Sequence, residues 1–218
     1  ELAQAIRQWE GEARATFLLR QACHSLIEAH DAGVVHRDLK PENLFVAHLG
    51  RDEDFLKVLD FGLVKELDTA PLDPRDKRPR QQLTIAGARP GTPGFMAPEQ
   101  ISGAAPIDQR VDVYALGCVA YYMLTGTAVF QGKVAAQVLF AHVDTEPDPP
   151  SLRVGHPLHS GLEQIVLRCL AKDPAARPTM ESLDELLATL AFDPPWSQAR
   201  ARHWWATAQP LARKHDNH

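Results

Sequence analysis

Cysteine is scarce in this chain, and long apolar runs are absent. Its three cysteines lie far apart among 218 residues, which excludes a disulfide framework and favours buried free thiols. A membrane span needs about 18 consecutive apolar residues, and no such run occurs. The net charge of −5 provides no basic surplus for nucleic-acid phosphates. These absences leave a globular domain that is long enough for one sizeable core.

The most informative segment covers residues 36–43, with the sequence His-Arg-Asp-Leu-Lys-Pro-Glu-Asn, and an Asp-Phe-Gly triplet follows at residues 60–62. A carboxylate such as Asp38 can accept the proton of an attacking hydroxyl group. The carboxylate of the triplet and the amide oxygen of Asn43 are ligands that hard cations prefer. Lys40 can neutralise phosphate charge. Together these side chains suit magnesium-assisted phosphoryl transfer.

A third motif, Ala-Pro-Glu at residues 97–99, follows in the order of the protein-kinase signature set. With these three motifs the chain resembles the protein kinase family over about residues 1–192. The lysine at position 40 and the segment 91–100 resemble those of bacterial, eukaryotic-like serine/threonine kinases. The resemblance implies an α+β fold that is mostly α-helical, a kinase-like C-terminal lobe with a short β hairpin around the catalytic loop. Residues 193–218 would form a C-terminal tail.

The resemblance also implies a catalytic role for single residues. Asp38 matches the family's catalytic base, and Lys40 matches the lysine that contacts the transferred phosphate. Asn43 and Asp60 match the two magnesium ligands, so the implied cofactors are ATP and Mg2+. Phe45 stands where the family usually has a leucine under the adenine, and its larger ring would reshape that surface.

A second group of residues would act on the activation loop or the substrate. Thr92 matches the threonine that contacts the catalytic aspartate and lysine. Arg37 and Lys65 match cations that can bind a phosphate on the activation loop, and Thr84 lies near the position where related bacterial kinases are phosphorylated. A phosphothreonine there would add a charge of about −1.5 to −2. The two cations could then order the loop through charge-assisted hydrogen bonds.

The remaining matches are structural. His36 opens the catalytic motif. Glu99 and Arg177 match a buried ion pair of the family, and Asp112 matches the aspartate that braces the catalytic loop from a central helix.

Hydrophobic periodicity predicts the helices that surround these motifs. Apolar residues at helical spacing predict a helix over residues 12–31 and another that starts from an N-cap at Asp108. A Ser-x-x-Glu sequence at residues 160–163 has the form of a capping box. A further helix is expected over about residues 180–190.

Other segments predict a hairpin, a loop and a tail. Residues 44–46 and 55–59 are expected to form two short strands around a polar turn. Four prolines predict a long loop over residues 65–92. Its basic run, residues 75–80, is either a solvated loop or a docking patch for an acidic partner. The tryptophan-rich tail from Trp196 either packs on the lobe, docks a partner or leads to a membrane anchor.

The family's glycine-rich loop and strand lysine, which clamp the ATP phosphates, have no counterpart in residues 1–35, where no lysine occurs. The chain is therefore interpreted as the C-terminal lobe of a serine/threonine protein kinase without its N-terminal lobe. Its parent would transfer the ATP γ-phosphate to serine or threonine hydroxyls of a protein substrate, and the isolated chain should be inactive. The alternative is a truncated kinase-like scaffold. Neither nucleic acid nor a membrane span is expected, and the expected location is cytoplasmic, whether free or in a longer membrane-anchored kinase. The oligomeric state is not predicted.

Overall fold

The computed structural model describes residues 11–50, 52–61 and 92–208. This part of the chain is mostly helical and contains a small two-stranded sheet, in agreement with the expected α+β, mostly α-helical class. The strands are β1 (Leu44–Leu49) and β2 (Asp52–Val58). The helices are α1 (Gly11–Asp31), α2 (Pro98–Ser102), α3 (Arg110–Thr125), α4 (Ala135–Asp144), α5 (Pro150–Val154), α6 (Ser160–Cys169), α7 (Met180–Ala188) and α8 (Gln198–Ala208). Short 3-10 turns lie at Pro41–Asn43, Pro93–Phe95 and Pro174–Ala176.

Helix α3 lies at the centre of the core because most of its residues are apolar and buried. Helices α1 and α6 pack against it, and α7 packs against α1. A glycine permits the close crossing of α3 and α6. A Cβ atom at Gly117 would lie 2.6 Å from the Cβ of Cys169, so no other residue fits there without moving one of the two helices.

The three cysteines are free and buried, as the sequence predicts. They belong to α1, α3 and α6, at Cys23, Cys118 and Cys169. Burial raises the pKa of each thiol because the charged thiolate would lose its hydration. These side chains therefore behave as small apolar residues of the core.

The hairpin is longer than the sequence predicts. Its strands pair antiparallel from Leu44 opposite Val58 to Leu49 opposite Asp52, with a register shift between Ala47 and Leu49 where β2 carries the extra residue. The expected polar turn therefore extends only to the start of β2, and Asp54 lies within that strand. Asp54 has a left-handed φ of 56°, a conformation that short polar side chains tolerate and that lets a polar residue interrupt the strand.

The predicted start of α3 needs correction. Helix α3 begins at Arg110, so Gln109 and not Asp108 occupies the N-cap position. The Asp108 carboxylate nevertheless accepts a hydrogen bond of 2.8 Å from the Arg110 amide.

The predicted capping box at the start of α6 is wrong. Its N-cap is His159, whose Nδ1 accepts a hydrogen bond from the Leu162 amide. Glu163 does not reach back to its own helix start, because its carboxylate accepts a 2.6 Å hydrogen bond from the backbone amide of Ser151. A tertiary contact with α5 thus replaces the local pattern.

The described part of the C-terminal tail packs back on the domain, which was one of three expected arrangements. Helix α8 contacts β2, and Trp204 is buried. The expected loop and its basic run fall almost entirely outside the described residues, as do residues 209–218. No helix in the described ranges combines the length and the apolar character that crossing a membrane requires.

Candidate active site

A buried carboxylate holds the loop that carries the candidate catalytic residues. Asp112 on α3 is fully buried, and it accepts hydrogen bonds of 2.8 Å from the backbone amides of both His36 and Arg37. The His30 ring nitrogen Nε2 lies 2.8 Å from the same carboxylate and must donate, because an ionised carboxylate can only accept. These contacts hold Arg37 in a left-handed conformation with φ of 65°, so the central helix fixes the shape of the loop.

Three predicted residues meet directly after this loop. The Lys40 ammonium group donates to the Asp38 carboxylate at 2.9 Å and to the Thr92 hydroxyl at 3.1 Å. The backbone amide of Thr92 donates to the other Asp38 oxygen at 3.2 Å. The side chains of Asp38 and Lys40 remain 30% and 24% exposed, so both groups are within reach of an external molecule. A proton acceptor, a phosphate-binding cation and a hydroxyl thus lie together.

The two candidate metal ligands lie at the base of the hairpin. Asn43 donates through Nδ2 to the backbone oxygen of Asp38 at 2.9 Å, which leaves its amide oxygen as the group that can ligate a cation. Its own backbone oxygen accepts a 2.8 Å hydrogen bond from Leu59, and this bond holds the next residue, Asp60, near Asn43. Asp60 is exposed and has a left-handed φ of 51°.

This oxygen donor set fits Mg²⁺. One carboxylate and one amide oxygen suit an ion that keeps several waters and binds phosphate oxygens as well. Among the residues that the structure describes, no group of three or more His, Cys, Asp or Glu side chains could hold a metal, so a closed protein cage of the zinc type is not part of the described site.

His36 fastens the segment that leads to Asp60. The ring is fully buried, and Nε2 lies 3.0 Å from the backbone oxygen of Leu59. Its ring also contacts that of Phe61, with centroids 5.2 Å apart. Phe45, expected under an adenine, lies on β1. The residue is 39% exposed, so a ligand or another segment can contact the ring.

One residue of the site has no signal in the sequence that singles it out. Gln100 on α2 donates to the backbone oxygen of Arg37 at 2.9 Å and accepts from the Ala97 amide at 3.0 Å. It therefore ties the loop that carries the candidate catalytic residues to the segment that follows Thr92. Arg37 lies 63 positions from Gln100 in the sequence and Ala97 only 3. A short sequence pattern can therefore predict the bond to Ala97 but not the bond to Arg37.

The ion pair of Glu99 and Arg177 is present and buried. Its two bonds measure 2.6 and 2.8 Å, and the guanidinium also donates to the backbone oxygens of Ala171, Arg110 and Lys172. This geometry uses the donors of the guanidinium in full. It anchors α2, and with it the segment beside Thr92, to the turn that precedes α7.

A buried histidine lies beneath the turn Pro93–Phe95. The fully buried His142 of α4 accepts or donates a 2.8 Å hydrogen bond with the Tyr114 hydroxyl through Nδ1. Burial and, to a smaller extent, the neighbouring Lys172 ammonium lower the pKa of His142 to about 4. The imidazole is therefore neutral near pH 7, and α4 supports the turn without adding charge.

The structure leaves one predicted group incomplete. The Arg37 Nε atom is buried and has no hydrogen-bond partner within the described ranges. The other two members of the group, Lys65 and Thr84, lie outside those ranges. The expected phosphate-binding arrangement on the activation loop thus stays a prediction.

Comparison with known proteins gives consistent similarities. A family model for the protein kinase domain matches residues 1–187. The chain is 40% identical over 174 residues to serine/threonine-protein kinase pkn3 of Myxococcus xanthus, and 42% identical over 160 residues to Pkn1 of the same organism. It is 35% identical over 164 residues to serine/threonine-protein kinase PknB of Mycobacterium tuberculosis. These matches cover 79%, 73% and 75% of this chain. They cover 30%, 21% and 24% of the three relatives, so the chain spans less than a third of their length.

Proposed function

The chain belongs to the protein kinase family, and from that premise we propose that it supplies the catalytic residues of a serine/threonine protein kinase. The reaction is transfer of the ATP γ-phosphate to a serine or threonine hydroxyl of a protein substrate. The observation that carries the proposal is the cluster of Asp38, Lys40 and Thr92. The Lys40 ammonium group donates to Asp38 and to the Thr92 hydroxyl, and the Thr92 backbone amide donates to Asp38.

Each member of this cluster has a separate task. Asp38 orients the substrate hydroxyl and accepts its proton, a contribution of about 10² to 10⁴ in rate for a well-placed base. Lys40 neutralises charge on the transferred phosphate, so that its oxygens approach the aspartate at a lower electrostatic cost. Thr92 holds both groups from the side of the segment 91–100.

Asn43 and Asp60 would hold Mg²⁺, and bound magnesium supplies charge neutralisation at the phosphates of ATP. Their positions depend on His36 and on the bond from the Leu59 amide to the Asn43 oxygen. Since phosphoryl transfer relies mostly on positioning and charge neutralisation, the tight packing of these supports is consistent with the proposed role.

Under this proposal the 218-residue chain by itself should have little or no kinase activity. Residues 1–35 contain no lysine and no glycine-rich loop, so the second half of the family's phosphate clamp has to come from other residues. The same observation favours the alternative function, a kinase-like scaffold that binds partners without catalysis.

The test compares two variants of the protein encoded by the complete gene. Phosphorylation of a generic protein substrate is measured with labelled ATP and Mg²⁺, and we expect Asp38→Asn to lower kcat about 10² to 10⁴ fold. Asp31→Asn is the matched control, because Asp31 is exposed at the end of α1, and its kcat should not change.

Two results would count against the proposal. Equal activity of Asp38→Asn and the unaltered protein would remove Asp38 as the base. A complete gene product that is folded, binds partners and transfers no phosphate would favour the scaffold.

A further inference from the structure

A buried ion pair lies near the turn of the hairpin and includes none of the candidate active-site residues. Arg14 of α1 and Asp54 of β2 are 2% and 0% exposed, respectively. The guanidinium donates to the two carboxylate oxygens at 2.9 and 2.7 Å. Two charges withdrawn from water in this way need further partners, because the mutual attraction of a buried pair rarely offsets the loss of hydration.

The C-terminal segment provides those partners. The indole Nε1 atoms of Trp196 and Trp205 donate to the Asp54 carboxylate at 3.0 and 2.8 Å, so this carboxylate accepts four hydrogen bonds. The Arg14 guanidinium lies 3.6 Å from the centroid of the Trp204 ring, within the range of a cation–π interaction. A segment near the C-terminus therefore completes the burial of both charges.

The same segment covers the open edge of β2. Gln198 accepts a hydrogen bond from the Glu53 amide at 2.8 Å and donates to the Glu53 oxygen at 3.1 Å. Gln21 of α1 makes two similar bonds, to the Asp54 oxygen and from the Leu56 amide. Since a strand edge exposes unpaired backbone groups, the two glutamines take the place of a third strand.

We propose that residues 196–205, here named the C-terminal clamp, position the hairpin and through it the two candidate metal ligands, Asn43 and Asp60. A two-stranded hairpin is only marginally stable by itself, and its base carries both residues. The role of those ligands rests on the proposed function. The clamp lies beyond residue 187, where the match to the family model ends, so it adds support from outside the matched region.

The experiment measures hydrogen exchange of the 218-residue chain and needs no catalytic activity. Trp205→Phe keeps an aromatic ring and removes one hydrogen bond to Asp54, and Gln198→Ala removes the bonds to the β2 edge without touching Asp54. We expect each variant to raise the exchange rate of the Leu59 amide about tenfold, since the loss of one bond to a charged group (Trp205→Phe) or of two neutral bonds (Gln198→Ala) has about this size. Leu59 reports on the hairpin base because its amide bonds to Asn43.

Two internal comparisons make the result specific. Amides of α6, which packs on α3 away from the hairpin, should keep their exchange rates. Arg202→Gln is the control variant, because Arg202 is exposed on the same helix α8, and it should leave the Leu59 amide unchanged.

Either of two outcomes would overturn the proposal. Faster exchange confined to α8 would make the clamp a local cover without effect on the hairpin base. Equal acceleration in α6 and at Leu59 would indicate a general loss of stability. The kinase proposal is tested separately. If the variants raise the exchange rate of the Leu59 amide as expected but the complete gene product transfers no phosphate, the kinase function is rejected and the coupling between clamp and hairpin stands.

Discussion

Replacement of Asp112 by asparagine should destabilise the chain strongly although the two side chains have the same shape. In the structure one carboxylate oxygen accepts from the His36 amide and the His30 ring, and the other accepts from the Arg37 amide. An asparagine that keeps its oxygen toward His36 presents its NH2 group to the Arg37 amide. One buried donor then loses its partner, at about 1.5–3 kcal/mol for a bond to a charged group.

The two bonds that survive in Asp112→Asn also weaken, because a neutral amide oxygen is a poorer acceptor than a carboxylate. We therefore expect the free energy of unfolding to fall by about 3 kcal/mol in total. Since Arg37 holds a left-handed φ of 65° only while this loop is braced, the variant of the complete gene product should also lose phosphoryl-transfer activity.

The measurement is urea unfolding followed by far-ultraviolet circular dichroism. Asp108→Asn provides the control, because Asp108 is an exposed aspartate at the start of the same helix, with one bond to the Arg110 amide. It should lower the free energy of unfolding by less than about 0.5 kcal/mol. If Asp112→Asn stays within about 1 kcal/mol of this control, the brace is not what holds the loop.

Two further predictions concern the core. Burial lowers the pKa of His142 to about 4 from the ordinary 6.5, so the unfolded chain binds its proton first as the pH falls. Stability that is complete above about pH 6.5 should decline toward pH 4, by on the order of 3 kcal/mol, and His142→Gln should flatten this decline in urea unfolding. Unchanged pH dependence in the variant would contradict the argument. Gly117→Ala should cost about 1–3 kcal/mol by overpacking against Cys169, whereas Gly94→Ala, which meets no atom within 4 Å, should cost less by the same urea assay.

Much of the helical core could be predicted because periodicity is a local property. The expected helix over residues 12–31 begins one residue earlier in the structure, and the expected helix over residues 180–190 ends at Ala188. Apolar residues recur there on the faces that become buried. The capping box failed for the opposite reason: Ser160 and Glu163 have the correct spacing, but a tertiary contact with Ser151 engages the glutamate.

The candidate site was predictable in part, for a similar reason. Asp38, Lys40 and Asn43 occur within six residues, so a short motif specifies their mutual positions, and the family pattern adds Thr92. Gln100 had no such motif, because its contact with the catalytic loop depends on how α2 packs. No local pattern indicated that Trp196 and Trp205 bind Asp54, since the partners lie 142 and 151 positions apart.

That separation has a consequence for synthesis of the chain. Helix α8 leaves the ribosome after every other described element, so α1 and the hairpin are made long before the C-terminal clamp exists. During that interval Arg14 and Asp54 remain hydrated, and β2 presents an uncovered edge of the kind that pairs with other chains. Among the described elements, α8 and the residues just before it are made last, so they complete the burial of Arg14 and Asp54 and cover the β2 edge only at the end of this order.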